Sequence, residues 1–169
     1  MRRAFQAGHE GRPAGVTFRP VTDADHPFLR DLYASVRAAE LAPVPWPEEA
    51  KRAFLDEQFA LQHQHYLKNY VGADLLLIEK DAAPIGRIYI YRTPAEIRLM
   101  DIALIEAERG HGIGTALLAE LLDEARATKC ELTLHVEPEN PAQRLYQRLG
   151  FRLIENRGVY DFLGWRASS

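Results

Sequence analysis

The chain predicts a single-domain α/β fold, a mixed β-sheet flanked by helices in the order β-α-α-β-β-β-α-β-α-β-β. Three observations lead there. Its 169 residues suit one domain. The apolar spacing switches repeatedly between a helical period and alternation. An apolar strand over 97–105, a helix over 112–127 and a strand over 131–136 form a strand-helix-strand unit, and such a crossover joins parallel strands.

The first fifteen residues mix Gly, Pro and charge without periodicity, so a mobile arm is expected over 1–15 and the folded domain over 16–169. Val16 to Arg19 alternate as a short strand that Pro20 ends. Thr22 and Asp25 carry a capping-box pattern. Phe28, Leu29, Leu32, Tyr33 and Val36 follow at helical spacing, giving a helix over 25–38. Pro43, Pro45 and Pro47 make a stiff connector that holds Trp46, and a second helix runs over 48–67. Residues 74–80 and 85–92 read as a hairpin around the turn 81–84. Asn140 caps a short helix over 141–149, with Pro141 at its start and Gly150 after its end. Two closing strands fit 151–156 and 159–165, turning at Gly158.

Composition excludes several functions. A net charge of −3 and a pI near 6.1 are unlike a nucleic-acid binder, which carries a basic face. No apolar run approaches the length of a membrane span, and no apolar segment follows Met1-Arg2-Arg3 as in a signal peptide. Cys130 alone allows no intramolecular disulfide and no Cys-rich zinc site. A cytoplasmic protein without a metal is expected. His63 and His65 would lie on different faces of their helix, so they do not suggest a shared metal.

Chemistry concentrates at Arg109-Gly110-His111-Gly112-Ile113-Gly114, where a strand meets a helix. Glycines allow a tight turn and close approach of phosphate oxygens. The free amides and positive dipole end of the first helical turn favour an anion, and Thr115 adds a hydroxyl. Neither a Walker loop nor a GxGxxG dinucleotide fingerprint is present. A second cluster follows about thirty residues on, Asn140-Pro141-Ala142-Gln143-Arg144-Leu145-Tyr146, closing with Leu149-Gly150-Phe151.

Together these segments resemble the GNAT superfamily of acyl-CoA-dependent N-acyltransferases. Arg109 to Gly114 matches its [QR]-x-x-G-x-[GA] loop. Asn140, Ala142, Leu145, Tyr146, Gly150 and Phe151 match N-x-x-A-x-x-L-Y-x-x-x-G-F. The resemblance covers about residues 16–165 and implies a GNAT-like fold with acetyl-CoA as acyl donor. It implies that amides of Arg109, Gly110, His111, Gly112, Ile113, Gly114 and Thr115 hold the pyrophosphate. Backbone groups near Ile102 and Leu104 would pair with the pantetheine arm where two strands splay, and Asn140 would touch that arm. Tyr146 stands where the family places a tyrosine beside the CoA sulfur, able to protonate or hydrogen-bond the leaving thiolate.

The acceptor side is less defined. An attacking amine must lose its proton, so a base is needed. Asp101 is the first candidate, with His135 and Glu96 behind it. Glu40, Trp46 and Tyr160 are expected on the acceptor walls. The Trp46 connector favours a small-molecule amine over a protein N-terminus or lysine. The resemblance leaves a homodimer open. The competing reading is a module that binds acyl-CoA without turnover.

Overall fold

The computed structural model describes Ala4, Phe5 and residues 9–168. Seven strands form one sheet: β1 (Val16–Pro20), β2 (Asp74–Lys80), β3 (Ala83–Arg92), β4 (Glu96–Leu104), β5 (Glu131–Val136), β6 (Arg152–Asn156) and β7 (Asp161–Trp165). Four helices flank it: α1 (His26–Leu41), α2 (Glu48–Asn69), α3 (Ile113–Thr128) and α4 (Gln143–Leu149). Sheet order is β1-β2-β3-β4-β5-β7-β6. β4 and β5 are the parallel neighbours that the crossover required, and the other pairs are antiparallel.

Element order agrees with the expected fold, and the differences are at boundaries. α1 starts one residue later, after a 3-10 turn that Thr22 and Asp25 close as a capping box. It then runs on to Leu41, whose side chain is buried among Leu29, Tyr33, Leu55, Phe59 and Leu77. The β2–β3 turn is only Asp81-Ala82, both at positive φ, and Pro84 lies within β3 opposite Glu79. α4 begins at Gln143 rather than 141. Asn140 Oδ1 accepts from the Ala142 N–H at 2.8 Å, so it shapes the turn before the helix.

The sheet has a core on each face. Leu117, Leu121 and Ala125 recur every four residues along α3 and are fully buried against Ile88, Ile90, Ile97 and Leu132. α1 and α2 cover the opposite face through the cluster around Leu29, Phe59 and Leu77. Within the leading segment expected as a mobile arm, Phe5 and Arg12 contact the fold. Phe5 packs 4.6 Å from the Phe18 ring, and its N–H donates to Glu120 at 2.6 Å. Arg12 pairs with the same buried carboxylate at 2.6 Å.

One irregularity prepares a site. In the β3–β4 ladder Tyr89 faces Asp101 but Ile90 faces Leu99, so Met100 is an extra, bulged residue. A bulge bends its strand. β4 pairs with β5 only from Glu96–Glu131 to Leu99–Leu134, and beyond Leu99 the two strands part.

Candidate active site

The strand gap opens into a cleft of about 1040 Å³ between the sheet and helices α1 and α2. β4 lines it with Asp101, Ile102 and Ala103, and β5 with Leu134, His135 and Val136. Glu137, Asn140 and Tyr146 lie at one end, and Glu40 and Tyr160 also face it.

Backbone directions in the gap follow from the β3–β4 ladder. The Ile105 N–H donates to Ile85 O at 2.8 Å, and the Ala103 carbonyl lies against Gly86. Peptide groups alternate sides along a strand. Ile102 and Leu104 therefore turn theirs toward β5, which no longer pairs with them. The Arg109 Nε–H occupies the Leu104 carbonyl at 2.9 Å, so this side chain braces the strand end rather than standing free as an added charge.

The loop that follows exposes its backbone. Gly110 and Gly112 hold φ of 77° and 81°, a left-handed conformation that glycine adopts without strain. A Cβ on Gly110, Gly112 or Gly114 would meet nothing within 4 Å, leaving open space on that side of the backbone. Gly112 caps α3 with no side-chain hydrogen bond, so no side chain takes the amides of the first turn, and such a helix start favours an anion. His111 and Thr115 are exposed beside them. The Ile113 side chain is buried in the core, leaving its amide for the ligand.

Tyr146, on α4, is buried and stacks edge-on to Phe151 at 5.6 Å. Burial, then the charges of Asp101 and Glu137, push its phenol up to about 12, so it stays protonated at neutral pH. Asp101 accepts from the Arg87 Nε–H at 2.6 Å, and Arg87 Nη2–H donates to Gln62 on α2 at 2.8 Å. Arg87 is 3% exposed, a buried cation beneath the cleft floor. In the sequence it is one residue of the hairpin strand over 85–92, which could present an edge to a partner and which ordinary hairpin pairing also explains. Long-range pairing of this kind leaves no local pattern, so the role of Arg87 was not legible.

His135 presents its ring to the cleft and stacks on Phe162, centroids 4.7 Å apart. Burial, then the guanidiniums of Arg98 and Arg157, lower its pKa, so the ring is neutral at pH 7. Glu96 is engaged elsewhere, holding Arg98 at 2.9 Å and the Thr133 hydroxyl.

Two of the three expected acceptor-wall residues reach the cleft. Glu40 pairs with Arg37 at 3.0 Å, and Tyr160 is half-exposed, its phenol raised by burial and then by Glu137. Trp46 does not. It packs edge-on against Phe54 at 5.7 Å, because the connector turns its ring onto α2 outside the cleft. The structure adds Tyr33, Tyr66, Tyr70 and Arg98 to the lining, supplied by helical and strand positions far apart in sequence. Among the described residues, no group of three or more His, Cys, Asp or Glu could hold a metal ion. No helix among them is long and apolar enough to cross a membrane.

Comparison with known proteins agrees with this geometry. The model of the acetyltransferase (GNAT) family matches residues 28–151. The N-alpha-acetyltransferase RimI of Mycobacterium tuberculosis is 32% identical over 146 residues, 86% of this chain and 84% of its own. The PaiA N-acetyltransferase of Thermoplasma acidophilum, solved with coenzyme A, superposes with a TM-score of 0.67 at 18% identity, covering 90% of this chain and 99% of its own. Arabidopsis thaliana Naa50, solved with the bisubstrate analogue CoA-Ac-MVNAL, gives 0.57 at 19% identity, covering 92% and 100%. These two likenesses concern the fold, whereas the family match extends over most of the chain. The chain belongs to the GNAT acetyltransferase family and is an enzyme whose acyl donor is acetyl-CoA.

Proposed function

We propose that this enzyme acetylates the α-amino group of a peptide or protein N-terminus, by direct attack on acetyl-CoA through a tetrahedral intermediate. The observation that carries the reading is a neutral imidazole, His135, on the same cleft as a protonated phenol, Tyr146, beside the β4–β5 gap. An α-amino group has a pKa of about 7.7–8.0, against about 10.4 for lysine. A histidine titrating below its ordinary value can take a proton from the first far more readily than from the second. The 32% identity to an N-alpha-acetyltransferase supports the same choice. A small amine was favoured by a connector expected to close the cleft, but Trp46 lies outside it.

In this reading the amides from Gly110 to Thr115 hold the pyrophosphate; the Arg109 amide, expected among them, is taken instead by Glu106 O at 3.1 Å, which closes the 3-10 turn before the loop. Ile102 and the Leu104 N–H meet the pantetheine and thioester in the gap, and Asn140 borders the arm. Asp101, fixed by Arg87, holds the incoming ammonium, and His135 accepts its proton. Tyr146 hydrogen-bonds the departing thiolate. Its phenol, near 12, is a weaker acid than a thiol of about 8.5, so hydrogen bonding rather than full transfer stabilises the leaving group. Glu40 and Tyr160 border the entering chain.

Thiol release from acetyl-CoA with three acceptor sets tests the assignment: peptides with free α-amines, the same peptides Nα-blocked but carrying lysine, and small amines. Turnover confined to the first set is expected. Turnover with small amines alone would overturn the choice of acceptor. Acetyl-CoA binding with no turnover in any set would favour a sensing module.

A further inference from the structure

The imidazole of His135 is held by a residue from the turn that leads into the neighbouring strand. Arg157, in the turn between β6 and β7, brings Nη1 to 2.9 Å from His135 Nε2. A guanidinium has N–H donors and no acceptor. Nε2 is therefore the accepting nitrogen, and in the neutral ring the proton sits on Nδ1.

Arg157 is itself fixed. Its Nε–H donates to Glu155 at 2.9 Å, its guanidinium lies 4.1 Å over the Phe162 ring, and its backbone N–H donates to Tyr160 O at 2.7 Å. Gly158, at φ 77°, turns the chain beside it, and its N–H donates to Asn156 Oδ1. Imidazole and guanidinium thus share one aromatic platform, since His135 stacks on Phe162 as well. From β4, Arg98 lies 5.2 Å over that ring, paired with Glu96.

We propose that Arg157 is a positioning residue for acetyl transfer: it fixes the His135 tautomer, keeps the ring neutral, and yields Nε2 when the acceptor amine or its water arrives. This rests on the reading of His135 as proton acceptor. His135 Nε2 takes one proton from the ammonium, the freed lone pair bonds to the thioester carbon, and the second N–H proton that the amide cannot keep passes to solvent water. The C–S bond then breaks, the electron pair leaves on sulfur, and the Tyr146 hydroxyl meets the thiolate. The imidazolium so formed faces Arg98 and Arg157, which favour loss of its proton to solvent and reset the site.

The groups facing the ring set a sign. Arg98 from β4 and Arg157 from the turn disfavour the imidazolium, and Glu96 from β4 favours it. Glu155, which holds Arg157, and Glu137, two residues beyond His135, add negative charge at the periphery. Removing Arg157 takes away a positive charge and also a donor to Nε2 that favours the neutral ring. Both changes raise the histidine pKa. A base works only when deprotonated, so the acid limb of kcat/KM moves to higher pH. For a pair this exposed the shift is about half a pH unit, or about a threefold loss of rate on that limb.

The test is kcat/KM for acetyl-CoA and a free N-terminal peptide across roughly pH 5.5 to 9, in wild type, Arg157→Gln, Arg157→Lys and His135→Gln. The Gln variant at 157 should move the acid limb upward, and the Lys variant should restore it. Added salt should raise the wild-type limb, and raise that of Arg157→Gln by less, because Arg98 still faces the ring there. An unmoved limb in Arg157→Gln, where His135→Gln abolishes it, would overturn the role of Arg157 alone. A limb that persists in His135→Gln would overturn both this role and the assignment of the base. Absence of turnover in wild type would instead remove the acceptor reading on which both depend.

Discussion

The two sides of the cleft are built by different means. On the donor side, the end of β4, the loop 109–112 and the start of α3 form one continuous segment. In the proposed reading it acts through backbone: peptide groups of Ile102 and Leu104 in the gap, and amides freed by Gly110 and Gly112. On the acceptor side, functional atoms belong to side chains gathered from α1, α2, β3, β4, β5 and the β6–β7 turn. A backbone site needs particular conformations and hence glycines at fixed spacing. A side-chain site needs only that distant positions converge. The first writes a motif, and the second does not.

Substitutions can break or sharpen this contrast. The largest expected effect is at Tyr146, which stands where the two sides meet. Tyr146→Phe should lower kcat about a hundredfold or more while acetyl-CoA still binds, since it removes the hydrogen-bond donor to the leaving thiolate and leaves the loop intact. Thiol release and ligand-induced melting shifts would be read side by side. A variant that lost both equally would show that the phenol acts by holding the cofactor.

Next is Gly112→Ala. Alanine at φ 81° costs about 1–2 kcal/mol, so either the loop shifts or the helix cap weakens. The KM for acetyl-CoA should rise about tenfold with the acceptor KM unmoved. Equal movement of both would mean that the loop also shapes the acceptor wall.

On the other side, Asp101→Asn leaves the buried Arg87 guanidinium without its charge partner. Breaking a buried pair costs about 3–5 kcal/mol, and the partial exposure of Asp101 lowers that to about 2. The melting temperature should fall by about 4–8 °C. The acceptor KM should rise severalfold, with the acetyl-CoA KM near wild type. The smallest effect belongs to Trp46→Ala. Its ring touches Phe54 outside the cleft, so kinetics should stay within about twofold of wild type while stability drops by about 1 kcal/mol. A large acceptor KM change would return Trp46 to the wall where the sequence suggested it.

The same contrast explains what the sequence disclosed. Element order and the crossover were legible because apolar spacing records which face each segment buries. Helix ends were less so: α1 runs to Leu41 because that residue finds a tertiary pocket. The loop at 109–114 and Tyr146 were legible through motif spacing. Glu40 and Tyr160 reached the cleft, yet Arg87 and Arg157 carried no signal, since each acts on a residue 14 or 22 positions away. Phe5 and Arg12 were hidden for a related reason. Their shared partner on α3, Glu120, is a buried carboxylate that only the folded helix brings within reach.

The most direct test of separate donor and acceptor sides needs no known acceptor. It is the melting shift induced by saturating acetyl-CoA in wild type, Gly112→Ala and Asp101→Asn, each against its own ligand-free form and with ATP as the anion control. A ligand at a hundred times its Kd adds about 2.7 kcal/mol, which for a domain of this size is a shift of about 5–11 °C. That shift is expected in wild type and Asp101→Asn, with a clearly smaller one in Gly112→Ala and little from ATP. No shift in folded wild-type protein, or a shift lost equally in both variants, would contradict a donor site built from the β4–α3 backbone alone.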